Sequence, residues 1–266
     1  MVSITADYER DGYVFPLRAF SADEALTYRR ELERIEGEHE DTPNLARSLG
    51  AHCHLVMPFV DEIMRRESVL GPVSALIGPD LLVWGCTFWI KDPQTPHFVS
   101  WHQDLTYWGL DAFDEVTAWI ALSPATIESG CMRFVPGSHA RDIVAHRDTH
   151  AADNLLSRGQ EVAVEVDEAR AVDVVLAPGE MSLHHGRMFH ASNPNRSPDR
   201  RIGLAIRYIT PQMRQSSGAR TVAALVKGED RFGHFELSPP PSGALHADDV
   251  ERVRRAKLTL NEILYS

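Results

Sequence analysis

The chain has 266 residues, of which 43% are hydrophobic and 24% are charged, and its formal net charge is −11. This composition is typical of a folded globular protein and excludes extensive disorder. The acidic balance argues against a nucleic-acid partner, and no apolar run reaches the roughly 18 residues that a membrane-spanning helix needs. Cys53, Cys86 and Cys131 form no Cys-x-x-Cys motif, and the first residues show no signal-peptide pattern. We therefore expect reduced thiols and a cytoplasmic location.

The first third of the chain carries most of the predicted helices. Residues 11–17 predict a turn that leads into a short apolar strand. Ser21 begins a capping-box pattern, and residues 22–36 behind it are rich in Leu, Glu, Arg and Ala, which predicts a surface helix. Further helix is predicted at residues 61–70 and 73–77. We expect these helices to cover one sheet of the fold.

From residue 81 the pattern changes to short β-branched and aromatic runs separated by Pro, Gly, Asp and Ser. Strands are predicted at residues 81–90, 98–105, 115–123, 131–135, 162–166, 172–176, 181–191 and 202–209. Strands this short and frequent favour an all-β barrel or sandwich over βαβ units. Polar residues 140–159 predict a loop or lid, and residues 248–264 predict a final amphipathic helix.

No internal repeat and no domain boundary is visible along the chain. We therefore predict a single domain over residues 1–266, with a β core at about 81–210 and a C-terminal extension at about 211–266. The expected fold class is mainly β with flanking helices.

A His-x-Asp pair on a strand would place an imidazole and a carboxylate on one face, which supplies two ligands of a 2-His-1-carboxylate iron site. Chance predicts about one such pair in a chain of this composition. The sequence contains four, which begin at His39, His102, His146 and His246. Three lie in polar stretches and are interpreted as exposed residues. Only His102 and Asp104 lie in an aromatic-rich predicted strand.

The third ligand should be a histidine on a later strand. His184, His185 and His190 are available in residues 181–191, and strand alternation puts His184 and His190 on one face. Alternation alone therefore leaves two candidates. Arg201 favours His190, because an arginine that opens the next strand could clamp a carboxylate beside the metal with its planar fork.

Several motifs occur in order between residues 11 and 208. They are Trp101-His-Gln-Asp104, Ala118-Trp119, residues 130–139 ending in Pro-Gly-Ser-His, Pro178-Gly-Glu, His190-Ala-Ser192 and Arg201. Together these motifs resemble the phytanoyl-CoA hydroxylase family of Fe(II)- and 2-oxoglutarate-dependent dioxygenases. The resemblance implies a double-stranded β-helix, the jelly-roll fold.

The resemblance also implies roles for individual residues. The iron ligands are matched by His102, Asp104 and His190. The residues around the 2-oxoglutarate co-substrate are matched by Arg201, Ser192, Trp108 and Trp119. Arg201 would bind the distal carboxylate with help from the Ser192 hydroxyl, and the two tryptophans would wall the pocket.

The implied reaction converts O2 and 2-oxoglutarate to succinate and CO2 while an unactivated C–H bond of a small metabolite is hydroxylated. Halogenases of this superfamily replace the ligand carboxylate by a small residue, so Asp104 favours a hydroxylase. Desaturation, cyclisation, epimerisation, halogenation and a non-catalytic metal-binding protein remain as alternatives. We expect a small-molecule substrate and neither a nucleic-acid nor a membrane partner, and no oligomeric state is predicted.

The chain also departs from the family pattern. Gly85 and Trp89 stand where members that hydroxylate ectoine carry amide side chains, which disfavours an ectoine-like substrate. The acidic chain shows no cationic surface for a coenzyme A thioester. Arg133 and Arg207 lie on predicted strands, where each could hold an anionic substrate or form a structural ion pair. We expect His139 to cap the Pro-Gly-Ser-His turn.

Overall fold

The computed structural model describes residues 4–264, so residues 1–3 and 265–266 of the expected single domain lie outside the described residues. The helices α1 to α6 are Ile4–Asp11, Ala22–Glu38, Leu45–Ser48, Pro58–Met64, Glu67–Ile77 and Ala247–Leu264. The capping box at the start of α2 is confirmed. The Ser21 hydroxyl accepts a hydrogen bond from the Glu24 N–H, and the Glu24 carboxylate accepts one from the Ser21 N–H.

Most of the strands form two sheets. The strands β1 to β13 are Tyr13–Arg18, Leu81–Lys91, Val99–His102, Glu115–Ala121, Met132–Phe134, His146–Asp148, Gln160–Val162, Val172–Val174, Glu180–His184, His190–Ser192, Arg201–Ile209, Val222–Lys227 and Glu236–Leu237. The large sheet has the order β1-β9-β4-β11-β2-β12-β13, and the small sheet has the order β3-β10-β5-β8. All neighbours pair antiparallel except β12 and β13. The mainly β class with flanking helices is therefore confirmed.

Strand β11 divides its side chains between two faces of the large sheet. Ile202, Leu204 and Ile206 belong to the main apolar core, together with residues of α2, α4 and α5. The intervening residues face the other way, because side chains alternate along a strand. The helices of the first third thus cover one face of the large sheet, as the sequence predicts.

The opposite face of the large sheet packs against the small sheet. Trp119 and Ala205 from the large sheet share a second apolar cluster with Met132 and Phe134 of β5. Arg201 and Arg207 also lie on this face of β11, with only 1% and 6% of their surface exposed. Two arginines are therefore enclosed in the space between the sheets.

Two predicted strands take a different form. The strand expected at 98–105 ends at His102, and Asp104 begins a 3-10 turn whose Leu105 N–H donates to the Gly186 carbonyl. The strand expected at 181–191 divides into β9 of the large sheet and β10 of the small sheet. Between them Gly186 donates its N–H to the buried Glu115 carboxylate, so the chain turns and crosses from one sheet to the other.

The sheets also recruit segments outside the region expected to form the β core. Strands β1, β12 and β13 join the large sheet, although they lie before residue 81 or after residue 210. The predicted loop at 140–159 contains the short strand β6, which pairs with β7, and the rest of it is irregular.

A glycine-to-alanine comparison tests the packing between the sheets. A Cβ on Gly203 would lie 1.8 Å from Cζ2 of Trp119, whereas a Cβ on Gly37 in α2 would meet no atom within 4 Å. We expect Gly203→Ala to lower the free energy of unfolding by about 1–3 kcal/mol, because it overfills the core. Gly37→Ala should leave it unchanged or raise it by up to about 1 kcal/mol. Urea unfolding measures both, and equal stability of the two variants would contradict this packing.

Candidate functional site

Three ligating side chains come together at the end of the small sheet. The pairing of β10 with β3 puts His190 directly opposite His102, and the 3-10 turn brings Asp104 beside them. The Asp104 Oδ1 lies 3.2 Å from Nε2 of His102 and 3.9 Å from Nε2 of His190. The three donor atoms all lie within 4.8 Å of one another. A turn, rather than strand alternation, therefore places the carboxylate of the His-x-Asp pair beside its histidine.

Hydrogen bonds orient both imidazoles toward this cluster. Nδ1 of His102 lies 2.9 Å from the Ser100 carbonyl, and Nδ1 of His190 lies 3.0 Å from the Met188 carbonyl. Since a carbonyl oxygen only accepts, each Nδ1 carries a proton, so each Nε2 is the ring nitrogen available to a metal. Burial and the nearby His102 lower the pKa of His190 to about 4, which keeps this ring neutral.

The carboxylate of Asp104 is held in its charged form. Burial alone would raise its pKa, but the hydrogen bond with His102 and the nearby His190 and Arg207 lower it below its usual range. Two imidazoles and one carboxylate, all buried, are the donor set of a facial 2-His-1-carboxylate Fe(II) site. These three residues therefore fit a ferrous ion.

The two competing histidines lie outside the cluster, although His184 lines the cavity that adjoins it. The ring of His184 is centred 5.2 Å from that of His190, but His184 contributes no donor to the cluster. His184 and His190 are on strands of different sheets, so the expectation that they share a strand face is wrong. His185 accepts a hydrogen bond from the Arg187 N–H and lies near Glu115.

An inner cavity extends from the cluster to Arg201. Besides the cluster, its lining includes Trp119, Ser192 and Thr117. The Arg201 guanidinium stacks over the Trp119 ring at 5.3 Å, and its Nε and Nη2 have no hydrogen-bond partner. Burial lowers the pKa of Arg201 to about 10. Among the described residues no carboxylate lies within 4 Å of this guanidinium, so an anionic ligand fits here.

Lys91 is a buried residue beside this cavity that the sequence pattern does not reveal. Its Nζ donates to the Ser192 hydroxyl at 2.6 Å and to the Asn193 carbonyl. Lys91 faces Arg201 across the pairing of β2 with β11. Burial and the charge of Arg201 lower the pKa of Lys91 to about 6. The only sequence signal is a lysine that directly follows the apolar run at 81–90.

A second, outer cavity adjoins the first. Its volume is about 410 Å³, and both cavities are lined by Asp104 and Trp89. Trp108, expected at the co-substrate pocket, lines the outer cavity instead and stacks on Trp84 at 5.1 Å. The reason is the 3-10 turn after β3, which carries the chain away from the inner cavity.

Segments beyond the cluster contribute to the outer wall. Residues 155–158 of the predicted lid lie on it, as do Lys257 and Leu260 of α6. The carbonyl of Ala51 approaches β2 at Gly85, where a Cβ would stand 2.9 Å from its oxygen. The absence of a side chain at Gly85 therefore has a packing reason.

The remaining sequence candidates have structural contacts. Arg133 pairs with Glu168 at 2.7 Å at the surface, which accounts for it as a structural ion pair. His139 contacts the Glu9 carbonyl through Nε2. The interpretation of His146 as an exposed residue is wrong: it is half-buried, because its Nε2 accepts from the Gln103 N–H at 3.1 Å.

Comparison with known proteins identifies the family. The profile described as "Phytanoyl-CoA dioxygenase (PhyH)" matches residues 8–203. A "probable alpha-ketoglutarate-dependent hypophosphite dioxygenase" of Stutzerimonas stutzeri is 28% identical over 67% of this chain and 62% of its own length. The L-proline trans-4-hydroxylase of Streptomyces griseoviridis is 25% identical over 76% of this chain and 83% of its own length. Among the first curated relatives, the matched region covers between 42% and 62% of the relative's own length.

A solved structure resembles nearly the whole chain. The apo form of the non-heme monooxygenase ThoJ superposes with a TM-score of 0.87 at 33% identity, covering 99% of this chain and 98% of that one. The chain thus has the jelly-roll fold of the 2-oxoglutarate-dependent oxygenases. It belongs to the phytanoyl-CoA dioxygenase family, and its relatives include a probable alpha-ketoglutarate-dependent dioxygenase. Within residues 4–264, no helix combines the length and apolar character that crossing a membrane requires.

Metal titration tests which side chains form the cluster. We expect His102→Ala, Asp104→Ala and His190→Ala each to weaken Co(II) binding by at least about tenfold, because each removes one ligand. His184→Ala is the matched control: it removes an equally buried histidine and should leave Co(II) affinity nearly unchanged. The visible absorption of Co(II) follows binding directly. Loss of binding in His184→Ala with retention in His190→Ala would reverse the assignment.

Proposed function

We propose that this protein is an Fe(II)/2-oxoglutarate-dependent hydroxylase of a small organic molecule. His102, Asp104 and His190 would hold the iron, and the balanced reaction is substrate C–H plus O2 plus 2-oxoglutarate to C–OH plus succinate plus CO2. The observation that supports this most strongly is the cluster of two imidazoles and one carboxylate within 4.8 Å. These three residues would hold the metal and would leave room for the co-substrate and O2 to bind it, as oxygen activation requires.

The bound metal and 2-oxoglutarate would supply the oxidising power that activates O2 and removes a hydrogen atom from carbon. The protein's own residues position and shield this chemistry. The planar fork of Arg201 matches the two oxygens of the distal carboxylate of 2-oxoglutarate. Lys91 holds the Ser192 hydroxyl in place beside it, and the Trp119 ring covers the guanidinium and excludes water.

Hydroxylation is preferred over halogenation because Asp104 supplies the carboxylate that a halide would have to replace. The relative from Streptomyces griseoviridis, an L-proline trans-4-hydroxylase, is also a hydroxylase. We also propose that the chain is one catalytic domain, since β1, β12 and α6 all join the sheet or line the outer cavity. The free, buried cysteines agree with the expected cytoplasmic location.

Replacement of Arg201 tests the co-substrate clamp. We expect Arg201→Ala to raise the KM for 2-oxoglutarate by roughly 10–100-fold, because a charge-assisted fork contributes about 1.5–3 kcal/mol. Arg201→Lys keeps the charge without the fork, so its KM for 2-oxoglutarate should lie between those of the unchanged protein and of Arg201→Ala. Arg133→Ala is the control, since Arg133 already pairs with Glu168 away from both cavities. An unchanged KM in Arg201→Ala would remove this residue from the site.

Product analysis tests the reaction type. The protein is incubated with Fe(II), ascorbate, 2-oxoglutarate and a panel of small carboxylic acids and amino acids, and the products are analysed by mass spectrometry. We expect a product one oxygen atom heavier than its substrate, formed together with one succinate, and none with His102→Ala. A product two hydrogen atoms lighter would indicate desaturation instead. If no substrate raises succinate above the level measured without substrate, the non-catalytic alternative is favoured.

A further inference from the structure

Arg207 is a buried arginine that faces a cavity and pairs directly with no carboxylate of the described residues. It lies on the same face of β11 as Arg201, and 6% of its surface is exposed. Its Nη1 donates to the Thr87 hydroxyl at 2.8 Å, and its Nε has no hydrogen-bond partner. Its charge favours the ionised form of Asp104, but among residues 4–264 it forms no direct ion pair with a carboxylate. The protein therefore buries a guanidinium whose Nε is left without a partner at a cavity wall.

The outer cavity in which Arg207 lies has the size and walls of a small-molecule site. A volume of about 410 Å³ is within the usual range for such sites. Trp84, Trp108 and Tyr107 give it an aromatic wall, and the Arg207 guanidinium stands over the Trp108 ring at 5.3 Å. Because Asp104 is part of its lining, a molecule held here would reach the metal cluster.

The other buried or half-buried cations around this cavity are already engaged. Arg200 pairs with Glu36 at 2.9 Å and with Asp92 at 3.1 Å. Lys257 donates to the Ser48 carbonyl at 2.8 Å. Burying a guanidinium without a directly paired anion costs free energy. Its presence at a cavity wall therefore favours a ligand that supplies the negative charge. Arg207 is the residue of this wall whose position calls for such an anion.

We propose that Arg207 binds a carboxylate, or an oxyanion of similar shape, on the molecule that occupies the outer cavity, while the aromatic wall holds the body of that molecule. The proposal rests on the proposed function and names the substrate class as organic acids. The carboxylate could belong to the substrate or to the keto-acid end of 2-oxoglutarate. The substrate is favoured, because Arg207 lines the outer cavity and Arg201 the inner one.

The test compares charged and neutral probes on the full chain loaded with Ni(II) and saturating 2-oxoglutarate, where no turnover occurs. The probes are 3-phenylpropanoate, indole-3-acetate and hexanoate, each paired with its neutral amide. Binding is followed by calorimetry and by the fluorescence of the cavity tryptophans. We expect at least one acid to bind at least tenfold more tightly than its amide. Arg207→Gln should abolish that preference.

Arg200→Gln is the matched control, since it removes an arginine of the same cavity whose charge Glu36 and Asp92 already compensate. It should keep the preference for the acid. Arg207→Lys should retain part of the preference, because it keeps the charge and loses the fork. If Arg207→Gln does not fold, the Arg207→Lys variant and the comparison of acid with amide on the unchanged protein still decide the question.

Three results would overturn the proposal. The first is equal binding of every acid and its amide to the unchanged protein, or no binding of any acid. The second is an acid preference that survives in Arg207→Gln. The third is an Arg207→Gln variant that weakens 2-oxoglutarate binding alone, which would assign the carboxylate to the co-substrate. A chain that binds no Ni(II) would contradict the proposed function instead, and Arg207-dependent acid binding is then measured on the metal-free protein.

Discussion

Backbone pairing between β3 and β10 holds His102 and His190 directly opposite each other, although the two residues are far apart along the chain. The remaining parts of the site are arranged around this contact. The 3-10 turn after β3 adds Asp104, and the bonds from each Nδ1 to a backbone carbonyl aim both rings at one point. Because the backbone carries the geometry, a metal would enter a cluster that is already organised.

Strand β11 connects the apolar core with the site. Its even-numbered residues pack among the helices, and its odd-numbered residues place Arg201 beside one cavity and Arg207 beside the other. Lys91, opposite Arg201, adds an amine whose pKa is lowered to about 6 by burial and by the charge of Arg201. Among the described residues, neither arginine forms a direct ion pair with a carboxylate. Anionic ligands would therefore compensate a charge that the folded protein carries at a cost, and their binding would stabilise the fold.

The differences between prediction and structure have a common physical origin. The runs at 98–105 and 181–191 are apolar enough to look like single strands, but each bends where a tertiary contact competes with strand geometry. At Gly186 that contact is the buried Glu115 carboxylate, and at Leu105 it is the Gly186 carbonyl. The wrong prediction for His146 has the same origin, because its hydrogen-bond partner Gln103 is distant in sequence.

The sequence by itself determined the mainly β class and the helices before it, because alternation and caps are local features. Alternation left His184 and His190 both open as the third ligand, and the choice of His190 came from Arg201 and from the family resemblance. It also indicated Arg201 through its distance from His190. Only the tertiary structure decided that Trp108 lines the outer cavity, that Lys91 supports Ser192 and that Arg207 pairs directly with no carboxylate of the described residues. These facts depend on which distant side chains share one enclosed space. The pattern of residues along the chain does not specify such neighbours, because burial and hydrogen-bond partners are fixed only when the sheets pack together.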